Sequence, residues 1–239
     1  MAERKKAITQ YKGPLTPEQV TAGMNAARRN AARLLEDAKR LFEAGSYPTA
    51  CSLAILSIEE AGKVSLLRHV ATARGGGELK AAWRSYRDHH AKNATWIIGD
   101  LALKGARRLL DLMPMYDRDS DHSAVADALK QLGFYTDCCG DRHWSEPFEA
   151  VDEATAKGML LIAQVSSPKH EFSVREVEFW IRHINPRGSP EEMVQGLLDW
   201  QAAMEREGLS RHSSEEWRSF VVGDGTTYLD RMRMTKPAT

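Results

Sequence analysis

The stretch Tyr47–Arg68, YPTACSLAILSIEEAGKVSLLR, limits what this chain can fold into more than any other. Ala50, Leu53, Ala54, Ser57, Ile58, Ala61, Val64 and Leu67 recur at helical spacing, making an apolar stripe that other elements must cover. The small members, Ala50, Ala54, Ser57 and Ala61, let a second helix come close. Glu59 and Glu60 then place two carboxylates in a segment otherwise fit for a core. No run of strand length alternates with period two, and no segment repeats. The expectation is an all-α fold: an antiparallel helical bundle with this helix at its centre.

The flanking elements follow from local signals. Thr16-Pro17-Glu18-Gln19 reads as a capped helix start, with Pro17 in the first turn and Gln19 placed for a capping box. This first helix runs to about Ala44, with Val20, Met24, Ala27, Ala31, Leu34, Leu35, Ala38, Leu41 and Phe42 on its apolar face, and Gly45 stops it. So short a connection makes the first two helices antiparallel neighbours. Arg74-Gly75-Gly76-Gly77 breaks the second helix. Without a preceding strand or a following Gly-Lys-Ser/Thr, the glycines read as a flexible turn rather than a phosphate cradle.

A third helix is expected from Glu78 to Leu112, ended by Pro114, with Trp83, Tyr86, Trp96, Ile97, Leu101 and Leu109 as its large apolar members. A polar loop over 116–123 and a short helix from Ala124 to Leu132 come next. The stretch GFYTDCCGDRHWSEPF then reads as ordered but irregular. Later helices open at Asp152-Glu153 (to Val165), at Ser173 with Glu176 (to Ile184), at Ser189-Pro190 (to about Glu207) and at Ser213 or Ser214.

Lysine plus arginine equals aspartate plus glutamate, 33 each, so the chain has no global basic field. Nucleic-acid binding would need a local patch. Two basic clusters, Lys104/Arg107/Arg108 and Arg28/Arg29/Arg33, read as solvated faces or as such a patch. Cys51 lies in the apolar stripe, and Cys138-Cys139 lacks zinc-site spacing. An odd cysteine count with no framework fits a reducing cytoplasm. The basic start MAERKKAITQYKG has no apolar core of a signal peptide, and no window has the length of a membrane span. There is no His-Glu-x-x-His, Glu-x-x-His, Gly-x-Ser-x-Gly or phosphate-loop sequence, so neither a metal nor an organic cofactor is expected.

Two constellations carry chemistry. Glu59 and Lys63 are four apart in the favoured order and read either as an ion pair or as a carboxylate with another duty. That duty would be orienting a catalytic group or holding the bundle through a buried contact. Arg84-Ser85-Tyr86-Arg87-Asp88-His89-His90 is the richer stretch. An imidazole can move the proton of a 2′-hydroxyl or a leaving oxygen, and a guanidinium can grip a phosphate. The same residues could instead pair as Arg84–Asp88 and Asp88–Lys92. In one unbroken helix Arg84 and His89 lie about 140° apart, so they converge only through a local break, the long arginine or a partner subunit. His143, beside Trp144, could line a cleft. Candidate catalytic residues are thus Arg84, His89, His90 and Arg87, and candidate binding residues are Glu59, Glu60, Lys63, Lys92 and His143.

Several pieces together resemble the AbiV family of bacterial abortive-infection proteins over roughly residues 25–165. They are Asn30–Ala38, Gly45–Ala50, Leu53–Lys63, Arg87–Lys92, Gly133–Asp137 and Trp144–Pro147. The resemblance implies the HEPN superfamily: a compact helical bundle, usually dimeric, in defence and toxin systems. Many members are metal-independent endoribonucleases with an Arg-x(4–6)-His motif, two copies facing each other across the dimer. Arg84 with His89 fits that motif with four residues between, and Arg84 with His90 fits with five. The position after the arginine, often amide or acidic in nuclease members, is Ser85 here. The family implies an RNA substrate, interference with phage protein production, and a phage protein as trigger. Other HEPN proteins are binding or sensing modules. The expected organisation is a flexible basic arm over 1–15, a HEPN-like domain over 16–186 and a helical extension over 187–239.

Overall fold

A computed structural model describes residues 9–106, 108–109, 111–112, 122–140 and 142–223. The expected loop at 116–123 and Pro114 lie mostly outside these residues, as does Arg107. The described chain is all-α apart from one small hairpin. In order, the elements are α1 Pro17–Glu43, α2 Tyr47–Thr72, α3 Gly76–Arg87, α4 His89–Leu103 and α5 His122–Phe134, then β1 Asp137–Cys139, β2 His143–Ser145 and α6 Pro147–Ala150. They are followed by α7 Glu153–Ser166, α8 Val174–His183, α9 Pro190–Arg206 and α10 Ser214–Val221.

Local chemistry sets the ends of α1. The Gln19 amide donates to Thr16 Oγ1 at 3.3 Å and the Thr16 amide to the Gln19 side chain at 3.0 Å, closing the capping box. Gly45, at φ 76°, turns the chain back at the other end. The α1–α2 hairpin then closes over small residues. Ser57 Oγ donates to the Ala31 carbonyl at 2.8 Å, a contact only close backbones allow.

Helix α2 is buried on nearly every side, covered by α1, α3, α4, α5, α7 and α8. One core joins Leu35, Cys51, Ile55, Ile58, Trp96, Met159 and Ile162. Within it, burial pushes the Cys51 thiol up to about 12, which keeps it inert. A second core, built on Val20, Met24, Val64, Leu67, Phe172 and Val177, seats α8. There the Asn25 side chain clamps the Phe172 backbone, donating to its carbonyl at 2.8 Å and accepting from its amide at 2.9 Å. Arg68 of α2 donates to Glu176 of α8 at 2.7 Å and lies 4.6 Å over the Trp180 ring. Burial lowers the Arg68 pKa, against the pull of Glu176. Trp200 of α9 and Trp217 of α10 continue this aromatic seam.

Two elements depart from the sequence expectation. The single helix expected over 78–112 is two helices, broken at Asp88, whose backbone is extended at φ −76°, ψ 128°. Aspartate is a strong helix-starting residue, and the break separates two environments. On α3 only Trp83 is buried, whereas α4 turns inward and buries Lys92, Trp96 and Ile97. The irregular stretch contains an antiparallel ladder, Asp137 to Ser145, Cys138 to Trp144 and Cys139 to His143. Strands of three residues are too short for alternation to reveal. Residues 11–14 are held: Trp83 Nε1 donates to the Gly13 carbonyl at 2.9 Å, and the Tyr11 hydroxyl donates to the Pro14 carbonyl at 2.9 Å. Among the described residues, no helix is long and apolar enough to cross a membrane.

Candidate functional site

Three helices meet at Glu59. Along α2, Ile55, Glu59, Gly62 and Leu66 share one inward face, so the carboxylate points where α4 and α5 converge. Its side chain is only 4% exposed. A carboxylate there needs donors, and two distant residues supply them. His89, the first residue of α4, sets Nδ1 2.8 Å from Glu59 Oε2. Lys130 of α5 donates from Nζ to Glu59 Oε1 at 2.7 Å and sits 2.7 Å from Asp127 Oδ1.

Glycine makes the reach of Lys130 possible. A Cβ at Gly133 would lie 2.6 Å from the Pro48 carbonyl oxygen, so α5 rests directly on the start of α2. Ser52 Oγ donates to the Lys130 carbonyl at 3.1 Å and fixes the same approach. Burial alone would lower the Lys130 pKa. The hydrogen bonds to Asp127 and Glu59, with their charges, outweigh it and hold the ammonium above the ordinary lysine value.

The arrangement gives His89 a defined chemistry. A carboxylate only accepts, so Nδ1 carries the proton facing Glu59, and Nε2 is the ring nitrogen at which a proton can be exchanged with a substrate. The His89 side chain is 57% exposed, and Nε2 makes no hydrogen bond among the described residues. This is the construction by which a buried carboxylate orients an imidazole for proton transfer.

The other expected residues are distributed around this centre. Glu60, not Glu59, takes Lys63, at 2.5 Å. Glu59 faces the core and Lys63 lies on the neighbouring, half-buried side. Arg84 is exposed on α3, across the break from His89, and its side chain has no hydrogen bond or ion pair among the described residues. Arg87 turns away, donating to the Trp83 carbonyl at 3.0 Å and to the Tyr11 carbonyl, with its guanidinium 5.0 Å over the Trp83 ring. Lys92 is buried one turn after His89. His143 stands on β2, exposed and 4.0 Å from Glu149, outside the Glu59 cluster. The side chain of His90 lies outside the described residues.

Lys130 and Asp127 are absent from the residues singled out in the sequence. Their signal is a lysine at a core position: Ala126, Lys130 and Gly133 lie on one face of α5, and all three are buried. Glu59, His89 and Asp127 also offer one ligand atom each within 4.8 Å of one another, a donor set a divalent cation can use. The Lys130 ammonium already lies against two of these groups, so an added cation would meet its charge.

In comparisons with known proteins, the family model described as AbiV, of the HEPN type, matches residues 19–167. Among curated proteins and among solved structures, nothing matches.

Proposed function

The chain belongs to the AbiV family of HEPN proteins, proteins of the abortive-infection type, and from that premise we propose that it is a metal-independent endoribonuclease. Once triggered by a phage component, it cleaves RNA and stops translation. The observation that carries this reading is the exposed His89 imidazole, fixed through Nδ1 by a buried carboxylate and open at Nε2.

The step needs no metal. His89 Nε2 takes the proton of a ribose 2′-hydroxyl, the 2′-oxygen attacks phosphorus, and the P–O5′ bond breaks. A protonated imidazole, from the same site or from a second copy of the chain in a homodimer, gives the 5′-oxygen its proton. The products are a 2′,3′-cyclic phosphate and a 5′-hydroxyl. Arg84 stabilises the charge that builds on the phosphoryl oxygens. A homodimer fits this division of labour, because the break at Asp88 puts Arg84 and His89 on separate helices and a facing copy brings two sets to one groove.

One observation favours a second reading, a non-enzymatic protein that binds a phage or translation-machinery partner. Tyr135, Trp144 and Phe148 are 62%, 64% and 67% exposed around the hairpin, the kind of residues binding surfaces use. Expression in bacteria with and without phage challenge separates the two. Under the nuclease reading, His89→Ala loses growth arrest while remaining folded. Undiminished arrest by a folded His89→Ala favours the binding protein.

A further inference from the structure

An open cavity of about 440 Å³ is walled by Tyr11, Lys63, Trp83, Tyr86, Arg87 and Lys92, the last of these one helical turn after His89. We propose that this cavity is a nucleotide subsite, in which Lys92 takes a phosphate and Tyr11 and Tyr86 take the adjoining base. The proposal rests on the nuclease reading for its purpose, and on the cavity alone for its chemistry.

The charge balance points to an anion. Among the described residues, no acidic side chain lines the cavity. Lys63 is offset by Glu60 at 2.5 Å. Among the described residues, the guanidinium of Arg87 donates only to the neutral carbonyls of Trp83 and Tyr11, and its charge has no counter-ion there. Lys92 is the decisive group. It is 7% exposed and lines the cavity, and its ammonium makes no hydrogen bond or ion pair among the described residues, the Glu59 and Glu60 charges acting on it only at longer range. Burying an unpaired ammonium is costly, and folds tolerate it where a ligand completes it. Phosphate oxygens supply the missing acceptors.

The aromatic wall narrows the class. Tyr11 is 57% exposed and stands edge-on to Trp83 at 6.2 Å, and Trp83 stands edge-on to Tyr86 at 5.4 Å. Flat rings beside cations suit a base beside its phosphate, the pairing used to hold single-stranded nucleic acid. Lys92 follows His89 by one helical turn, so a nucleotide seated here would flank the phosphate on which His89 acts. A free nucleotide and one residue of an RNA strand share this chemistry.

The test is a binding titration with two probes, a fluorescent 2′-O-methyl RNA octamer, which cannot be cleaved through a 2′-hydroxyl, and AMP. Lys92→Met keeps the stem and removes the charge. The expected result is octamer binding weakened roughly 10- to 100-fold, with a Tm equal to or above that of the unsubstituted chain. Tyr86→Leu should weaken binding roughly tenfold, and Lys80→Ala, an exposed charge on α3, less than about twofold. Lys92-dependent binding of AMP with Lys92-independent binding of the octamer would assign the site to free nucleotides. Octamer and AMP binding both within twofold of the unsubstituted chain for a folded Lys92→Met, or an equal loss for Lys80→Ala, overturns the proposal. Neither probe is cleaved, so an inactive protein that still binds through Lys92 sinks the nuclease reading and leaves the subsite standing. Cleavage with Lys92-independent binding does the reverse.

Discussion

Exchanging the Glu59–Lys130 pair for apolar residues separates what the cluster does for the fold from what it does for His89. Both side chains are buried, at 4% and 7% exposure, and meet at 2.7 Å. Lys130→Met alone strands a buried carboxylate with only His89 as donor, and breaking a buried pair from one side costs about 3–5 kcal/mol. Glu59→Leu alone should cost less, about 2–3 kcal/mol, because Lys130 keeps Asp127 at 2.7 Å. Additive losses would give about 5–8 kcal/mol, enough to unfold many domains. The double variant removes both charges and fills similar volume, an exchange that is often close to neutral. Asp127, about a third exposed, can turn to water. The double should therefore lie within about 2 kcal/mol of the unsubstituted protein, a coupling of at least about 3 kcal/mol. Urea denaturation of the four proteins measures it. RNA cleavage should not recover with stability, because His89 has lost the carboxylate that sets its tautomer. Additivity within about 0.5 kcal/mol would refute the view of Glu59 and Lys130 as one buried pair. Full cleavage by the double variant would refute the positioning of His89 by Glu59.

Gly133→Ala should cost about 1–3 kcal/mol, read by thermal unfolding, because its Cβ would sit 2.6 Å from the Pro48 carbonyl oxygen and push α5 from α2. Glu176→Ala leaves Arg68 buried among Phe172, Trp180 and Trp200 without its 2.7 Å partner. The expected loss is about 3–5 kcal/mol, with hydrogen exchange rising first in α8 and α9. Burial holds the Lys92 pKa below the ordinary 10.5, with Glu59 and Glu60 pulling it up and Lys63 and Lys130 pushing it down. Only the charged form grips phosphate, so octamer binding should fall with rising pH before surface lysines discharge, and the Lys92→Met variant should lack that step. The Lys130 pKa is raised instead. Its contribution to stability is complete below 10.5 and is lost as pH climbs through the higher folded value, a loss that Lys130→Met should not show.

Where structure is set by near neighbours, the sequence announces it. The helix starts at Thr16, Ser173, Ser189 and Ser213 are each capped within four residues, though the Glu176 carboxylate goes to Arg68 rather than back to close a box at Ser173. The small-residue stripe of α2 meets α1 as its spacing implies. The break at Asp88 is hidden because apolar residues continue on both sides of it, Trp83 and Tyr86 before and Trp96 and Ile97 after. Only an aspartate suited to start a helix marks the place. The centre of the site is hidden for another reason. Glu59 finds its donors 30 and 71 residues away, and no spacing rule reaches that far. A lysine and a glutamate set at core positions of two different helices are the trace such a pair leaves in a sequence.

The most direct measurement is the chemistry of the RNA ends made in excess EDTA, with and without extract of phage-infected cells, by the unsubstituted chain and by His89→Ala. The unsubstituted chain should leave 2′,3′-cyclic phosphate and 5′-hydroxyl ends, and His89→Ala should leave the RNA intact. Intact RNA from both proteins under both conditions would contradict the nuclease reading, as would cleavage that survives the loss of His89.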